Sequence, residues 1–455
     1  MKKKIATMIL AMMMIVSGCR QGNGSNAEET VTEQTAADPS GVTEVTLSPL
    51  AGGNSSTAAE AEDGIDTEDL FTERDLKQEA DLSGAEYITV TDGADVTIEG
   101  EGVYVLTGQA EEVTVSIAAD SGDKVQLVLD GLQISNTDRP CIYVKQADKV
   151  FVTLLGENAL SVNGAFSADG DTNTDAVIFS KDDLVLNGSG ALTITSADNG
   201  ITSRDGIKVT GGELTISCEG SAIEAHEEIL IADGTIVVER CNDGLHAEND
   251  EDDTAGMVYI GGGTIRITAA DDAIHATTIV GIDNGSMTLQ AAEAIEGTQI
   301  EINGGEISIS ASDDGINAAQ KSSAYTPLFE MNGGTVDIEM GAGDTDGVDS
   351  NGDIVINGGT IRISGQSAFD YDNTAVHNGG TILVNGTETD TITNQFGNGF
   401  GGPGGMHPEG MDRPEGMEPP EGIRPQGMQH PEGMERPERM EHPEGTEQSE
   451  RTGTP

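Results

Sequence analysis

Gly305-Glu306-Ile307-Ser308-Ile309, followed shortly by Asp314-Gly315-Ile316-Asn317-Ala318, is one copy of a two-part unit that repeats through the middle of the chain. The first part is Asn/Gly-Gly-Thr followed by alternating apolar residues. It returns at Gly263-Thr264-Ile265-Arg266-Ile267, Gly334-Thr335-Val336-Asp337-Ile338, Gly359-Thr360-Ile361-Arg362-Ile363 and Gly380-Thr381-Ile382-Leu383-Val384. The second part is an acid, Gly or Ala, an aliphatic residue, a polar residue and a small residue. It returns at Asp243-Gly244-Leu245-His246-Ala247, Asp272-Ala273-Ile274-His275-Ala276, Glu293-Ala294-Ile295-Glu296-Gly297 and Asp346-Gly347-Val348-Asp349-Ser350.

The aliphatic residue of the second part marks the period. It falls at Ile201, Ile223, Leu245, Ile274, Ile295, Ile316, Val348 and Phe369. The steps are 21 or 22 residues, apart from two longer ones that hold insertions around Glu248–Gly256 and Gln320–Pro327. Each unit has three short runs of period-two alternation separated by Gly, Asn and Asp. Repeats of this length indicate a solenoid. Three short strands in about twenty residues make one coil of a right-handed, single-stranded parallel β-helix, of about a dozen coils and all-β throughout. Asn and Gly at the corners are expected to supply left-handed backbone. Val125-Gln126-Leu127-Val128-Leu129 and Val150-Phe151-Val152-Thr153-Leu154 extend the alternation toward the N-terminus. The repeat lacks a leucine-rich signature, and a propeller blade would need about twice its length.

In a solenoid, a sequence repeat becomes a column of side chains spaced by roughly 4.8 Å. Asp243, Asp272, Glu293, Asp314 and Asp346 are expected to form one line. Glu224, His246, His275, Glu296, Asn317, Asp349 and Asp370 form a second line three residues onward. Stacked carboxylates repel, and Ca2+ between two coils would relieve that repulsion through oxygen ligands. The candidate calcium ligands are Asp243, Asp271, Asp272, Glu293, Glu296, Asp313, Asp314, Asp346, Asp349, Asp370 and Asp372. The alternative is that these acids make solvated turn hydrogen bonds. His226, His246 and His275 lie on consecutive coils. They fit hydrogen-bonded surface histidines, a transition-metal site or an acid/base pair. Cys218 and Cys241 are about one coil apart but offset by a residue, which favours free thiols.

Composition narrows the partners. The 455 residues hold 80 Asp+Glu against 22 Lys+Arg, for a net charge of −58. Such a surface repels phosphate backbones and excludes nucleic acid. The chain has no Trp to stack on a sugar face. Lys2, Lys3 and Lys4 followed by apolar Ile5–Val16 read as an export signal. Val16-Ser17-Gly18-Cys19 resembles a lipobox, so residues 1–19 are expected to end at a lipidated Cys19 on the outer membrane face. Residues 20–85 read as an acidic, flexible tether, with a short helix possible over Asp69–Ala80. Residues 391–455 form a tail rich in Gly, Pro, Met and Glu; its unit is Pro-Glu-Gly-Met, with Met411, Met417, Met428, Met434 and Met440 falling six or five residues apart once Ile423 fills one slot. Its methionines and His407, His430 and His442 offer soft-metal donors, with a solvated spacer as the default.

The run Asp123-Lys124-Val125-Gln126-Leu127-Val128-Leu129-Asp130-Gly131, then Cys141-Ile142-Tyr143-Val144-Lys145-Gln146-Ala147-Asp148-Lys149-Val150, resembles the opening of a known family. This is the family of secreted bacterial carbohydrate-binding domain-containing β-helix proteins, which bind cellulose and polygalacturonate and carry calcium. The Asp-Asp-Gly-Ile and Asn-Gly-Gly-Thr-Ile units are similar to its body, so the resemblance spans about residues 86–390. It implies a monomeric, non-catalytic polysaccharide binder at the cell surface, with Ca2+ at the acidic corners. Ser221 and Ser367 depart from the pattern by replacing the corner acid, and His246 and His275 replace acids in the second line.

The same scaffold also carries pectin-degrading enzymes, so catalysis has to be judged on the site. Asn173-Thr174-Asp175 superficially resembles a hydrolase motif, but Gly-His-Gly is missing. Arg266-Ile267 and Arg362-Ile363 lead to Thr268 and Ser364, where such an enzyme would have Lys. A lyase would need a base such as Lys208, Arg204 or Arg266 beside its calcium. A third reading is a structural adhesin rod.

Overall fold

The computed structural model describes residues 70–394 except 250, 343 and 344. The signal segment, Cys19, most of the expected tether and the Met-rich tail from residue 395 lie outside the described residues. Among the described residues there are 34 strands and no helix.

The strands stack in three parallel ladders that the chain visits in turn. The first ladder includes Lys149–Leu155, Asp183–Gly188, Ile207–Val209, Glu228–Ile231 and Met257–Ile260. Glu157–Val162, Ala191–Ser196, Glu213–Ser217, Thr235–Cys241 and Thr264–Ala269 belong to the second. The third includes Ile142–Gln146, Ala176–Ser180, Asn199–Ser203, Ile223–Ala225 and Leu245–Ala247. Pairing one coil to the next through all three ladders gives a parallel β-helix of about a dozen coils. At its C-terminal end Thr381–Val384 turns back on Thr387–Thr389 in an antiparallel pair.

The period-two pattern sets which side chains face inward. In Thr264–Ala269, Ile265 and Ile267 are buried while Thr264 and Arg266 face out. The aliphatic column forms as the repeat predicts. Ile201 pairs with Ile223, Ile223 with Leu245, Leu245 with Ile274, and Ile274 with Ile295. Ile295 then pairs with Ile316, Ile316 with Val348, and Val348 with Phe369. All are buried in one continuous core. Removing so many branched side chains from water is the main force holding the coils together.

The corner glycines behave as expected: Gly263 has φ 92° and Gly334 φ 77°. The asparagines at those corners serve a different purpose. Asn303, Asn332, Asn357 and Asn378 are not left-handed, and their amides form a ladder along the rod; Asn385 does take the left-handed turn, with φ 51°. Asn378 Nδ2 donates to Asn357 Oδ1 at 2.7 Å, Asn357 to Asn332 at 2.8 Å, and Asn332 to Asn303 at 2.9 Å. Cys141, Cys218 and Cys241 are buried free thiols.

The described part of the expected tether begins at Leu70. Residues 70–82 form turns, not a helix, and lie against the first ladder. The outward residues there are Phe151, Val185, Lys208, Leu230 and Tyr259, which is mostly apolar and needs a cover. Phe71 packs on Tyr259 with ring centroids 6.4 Å apart, and the Arg74 guanidinium sits 4.3 Å from the Phe151 ring centroid. Lys208 Nζ donates to Leu70 O at 2.6 Å. Gln78 receives Gly188 N and donates to Thr210 O.

Candidate functional site: the outward stripe of the third ladder

Each outward side chain of the third ladder lies above its counterpart in the next coil. Along the rod the order is Ser116, Tyr143, Phe179, Thr202, Glu224, His246, His275, Glu296, Asn317, Asp349 and Asp370. The second predicted line therefore exists. The corner line also forms: Asp272 pairs with Glu293, Asp243 Oδ1 accepts from Asp272 N at 3.3 Å, and Asp314 Oδ1 accepts from Asp346 N at 3.1 Å. Asp271, Asp313 and Asp372 are exposed at the corners and do not enter either line.

The stripe has three chemically different stretches. At the N-terminal end Tyr143 and Phe179 meet edge to face at 5.7 Å, with Lys145 and Lys181 over Tyr143 and Arg204 over Phe179. A cavity of about 290 Å3 beside them is lined by Asp95, Arg139, Tyr143, Lys145, Asp169 and Thr174, among others. Tyr143 is only 4% exposed and Phe179 is fully covered, so neither offers a free ring face to a sugar.

In the middle stretch the protein supplies its own cations. His275 Nδ1 lies 2.7 Å from Glu296 Oε2 and 3.1 Å from Asp272 Oδ2, and Lys321 Nζ lies 2.7 Å from Glu296 Oε1. Burial alone would lower the His275 pKa, but hydrogen bonds and charge from Asp272 and Glu296 push it up to about 9. Asn317 Nδ2 donates to Glu293 at 2.8 Å. Burial and the neighbouring charges of Glu296, Asp272 and Asp314 raise Glu293 to about 7 despite that bond. Two residues from the insertions take part. Lys321 comes from the second insertion, and Glu248, at the head of the first, meets His246 Nε2 at 3.0 Å. The insertions also touch each other, where Ser323 N donates to Asp253 at 2.9 Å. Glu248 was legible as the next same-face position after His246. Lys321 carries no periodic signal.

In the C-terminal stretch no Lys, Arg or His among the described residues pairs with Asp314, Asp349 or Asp370. Burial and the charges of Asp349, Asp313 and Asp346 raise Asp314 to about 7. Burial, Asp370 and Asp346 raise Asp349 to about 6. Two buried oxygens here, Asn317 Oδ1 and Thr345 Oγ1, have no hydrogen-bond partner. Ser367, which takes the corner acid's place, donates its hydroxyl to Asp346. The donors are all hard oxygens with unrelieved negative charge, which fits Ca2+ and not a soft metal.

A family model described as carbohydrate-binding domain-containing protein matches residues 92–347 and 290–396, most of the coiled region. The chain belongs to that family. A carbohydrate-binding domain-containing protein of Acetivibrio thermocellus is 31% identical over 198 residues, which is 42% of this chain and 69% of the relative. A solved structure of a polysaccharide lyase-like protein from C. thermocellum, a gadolinium derivative, is similar at 20% identity and a TM-score of 0.31, over 66% of this chain and 96% of that one.

In this carbohydrate-binding domain-containing protein, Lys208 and Arg204 are engaged elsewhere and Arg266 stands on another ladder. Lys208 lies under Phe71 and pairs with Glu228 at 3.5 Å, on a different ladder from the acids. Arg204 lies over Phe179, and Arg266 projects from the second ladder. Lys321 does stand beside the acidic lines. Burial opposes its charge, but Glu296, Glu293 and Asp272 raise its pKa further, so it is a poor base. The outward column of the second ladder runs Thr193, Thr215, Val237, Arg266, Thr288, Ser308, Asp337 and Arg362, so its hydroxyls come in two pairs separated by Val237 and Arg266.

Proposed function

We propose that this member of the carbohydrate-binding domain-containing family is a non-catalytic binder of plant cell-wall polysaccharide, with Ca2+ at the C-terminal end of the third-ladder stripe. The observation that carries this reading is the run Asp314, Asp349 and Asp370, half-buried without a cationic partner among the described residues. Asp346 and the orphaned oxygens of Asn317 and Thr345 lie beside it. Asp313 and Asp372 stand at its margin. The proposal moves calcium away from Asp243, Asp272 and Glu296, where His246, His275 and Lys321 already balance the charge, and from the exposed Asp271.

A surface this acidic attracts polygalacturonate only when a divalent ion lies between the two sets of carboxylates. Neutral chains such as cellulose would instead lie on the hydroxyl pairs of the second ladder. The lipobox-like Cys19 supports attachment to the outer membrane face, with the coils presented outward as a monomer.

The test is calorimetric titration of EDTA-treated protein with Ca2+, followed by polygalacturonate pull-down with and without the ion. Ca2+ binding that D349N/D370N abolishes, together with Ca2+-dependent pull-down, supports the reading. Equal pull-down in EDTA, or release of unsaturated or reducing sugar ends, overturns it.

A further inference from the structure

The two histidines in the middle of the stripe are arranged differently from the acids on either side. Their rings stack at 4.6 Å with an interplanar angle of 8°. The Nδ1 of each faces carboxylates: Asp243 at 3.5 Å for His246, and Asp272 at 3.1 Å and Glu296 at 2.7 Å for His275. The two carboxylates on Nδ1 fix the orientation of the His275 ring, whereas the buried Nδ1 of His246 makes no hydrogen bond, so that ring can turn. The Nε2 of His246 already points at Glu248 Oε2, 3.0 Å away. One donor atom from each of His246, Glu248 and His275 lies within 4.8 Å of the other two.

We propose that His246, His275 and Glu248 form a binding site for a borderline-soft divalent metal of the Zn2+ type, separate from any calcium on the stripe. Two imidazole nitrogens and one carboxylate are the donor set such an ion prefers over Ca2+, and three protein ligands leave a fourth position open. Bonds of about 2.0–2.1 Å bring tetrahedral ligands to about 3.4 Å from one another, and parallel rings cannot aim both lone pairs at one ion, so the His246 ring has to turn out of the stack, with Glu248 following it, to close the site. Glu248 is exposed and His246 half-buried, which leaves the open position facing solvent on the outward stripe. Asp272 and Glu296 act as positioning residues. Metal at Nε2 releases whatever proton that nitrogen carries, so binding weakens as the pH falls.

The experiment is calorimetric titration of the full, EDTA-treated chain with Zn2+. It is repeated on H246Q, E248Q and H275Q, and on the tail variant H407Q/H430Q/H442Q, with far-UV circular dichroism confirming folding. The expected result is one Zn2+ that raises the melting temperature, survives in the tail variant and in D349N/D370N, and weakens at least tenfold in H246Q and E248Q. Co2+ in place of Zn2+ should give visible absorption bands that H246Q abolishes. Because H275Q also removes a counter-charge from Glu296 and can fail to fold, H246Q and E248Q decide the question. Zn2+ binding that is absent, unchanged in H246Q, or lost only in the tail variant overturns the proposal. Ca2+ binding in H246Q is unaffected on this view, so the zinc and calcium readings fail separately.

Discussion

Lys321 reaches out of the second insertion to place its Nζ 2.7 Å from Glu296 Oε1, and so completes a charge balance that His275 begins on the other oxygen. Glu296 is nearly covered, and burial opposes its ionisation. The hydrogen bonds from His275 and Lys321 nevertheless hold its pKa below the ordinary value. Replacing Lys321 by Met leaves a buried carboxylate with one cationic partner in place of two, beside the Asn317 amide at 3.4 Å. Losing such a charged hydrogen bond costs about 1–3 kcal/mol, and the partial exposure of Lys321 puts the effect toward the lower end. Urea unfolding of K321M should show a lower midpoint at unchanged slope. An unchanged midpoint would mean that the contact contributes nothing.

Stability should fall as the pH rises from about 5 to about 9 in metal-free buffer. His275 titrates near 6.5 when unfolded and at about 9 when folded, so its contribution is full below about 6.5 and lost through 9. Asp314 and Asp349 are raised to about 7 and about 6, so each favours the folded state when protonated and loses that contribution as the pH passes those values. Melting temperatures across this range should decline in two parts. H275Q removes the upper part, and D314N shrinks the lower. Saturating Ca2+ should flatten the lower part, because the ionised carboxylates then hold the ion. A flat profile in metal-free wild type would contradict the assigned charge pattern.

The solenoid was readable because a repeat in sequence becomes a column in space. Ile201 through Phe369 and the Glu224-to-Asp370 line stack as their spacing indicates. What escaped reading depends on contacts without a period. Lys321 and the Phe71–Gln78 strap reach the coils from irregular segments, and nothing in their own spacing names a partner. The left-handed turn expected of corner asparagines holds at Asn385, whereas Asn303, Asn332, Asn357 and Asn378 build the amide ladder instead. Turn propensity and an amide ladder select the same residue, and only the register of neighbouring coils separates them.

The strap gives a third prediction. Phe71, Arg74 and Gln78 cover Phe151 and Tyr259 and bond the backbone at Gly188 and Thr210. Truncating a partly buried aromatic of this kind costs up to about 3 kcal/mol, less where the site can collapse. F71A/Q78A should therefore melt at a lower temperature and bind more of a hydrophobic dye, while Ca2+ binding on the third ladder stays the same. If dye binding and melting are both unchanged, the strap is only laid on the surface.

The acidic corner also limits how closely the coils can stack. A Cβ on Gly244 would lie 2.3 Å from Ala273 O and 2.7 Å from Ile267 Cγ2, although its backbone φ is not in the glycine-favouring region. Glycine is therefore required here by the approach of the next coil, not by the turn. Adding a methyl must push backbone apart between two hydrogen-bonded coils, and overpacking of this kind costs about 1–3 kcal/mol. G244A should lower the unfolding midpoint accordingly. It should also weaken Zn2+ binding, because His246 two residues onward moves with the corner. Gly100, where a Cβ would meet nothing within 4 Å, is the matched control. G100A should leave both measurements unchanged, and a G244A variant as stable as G100A would show that the coils have slack the structure does not.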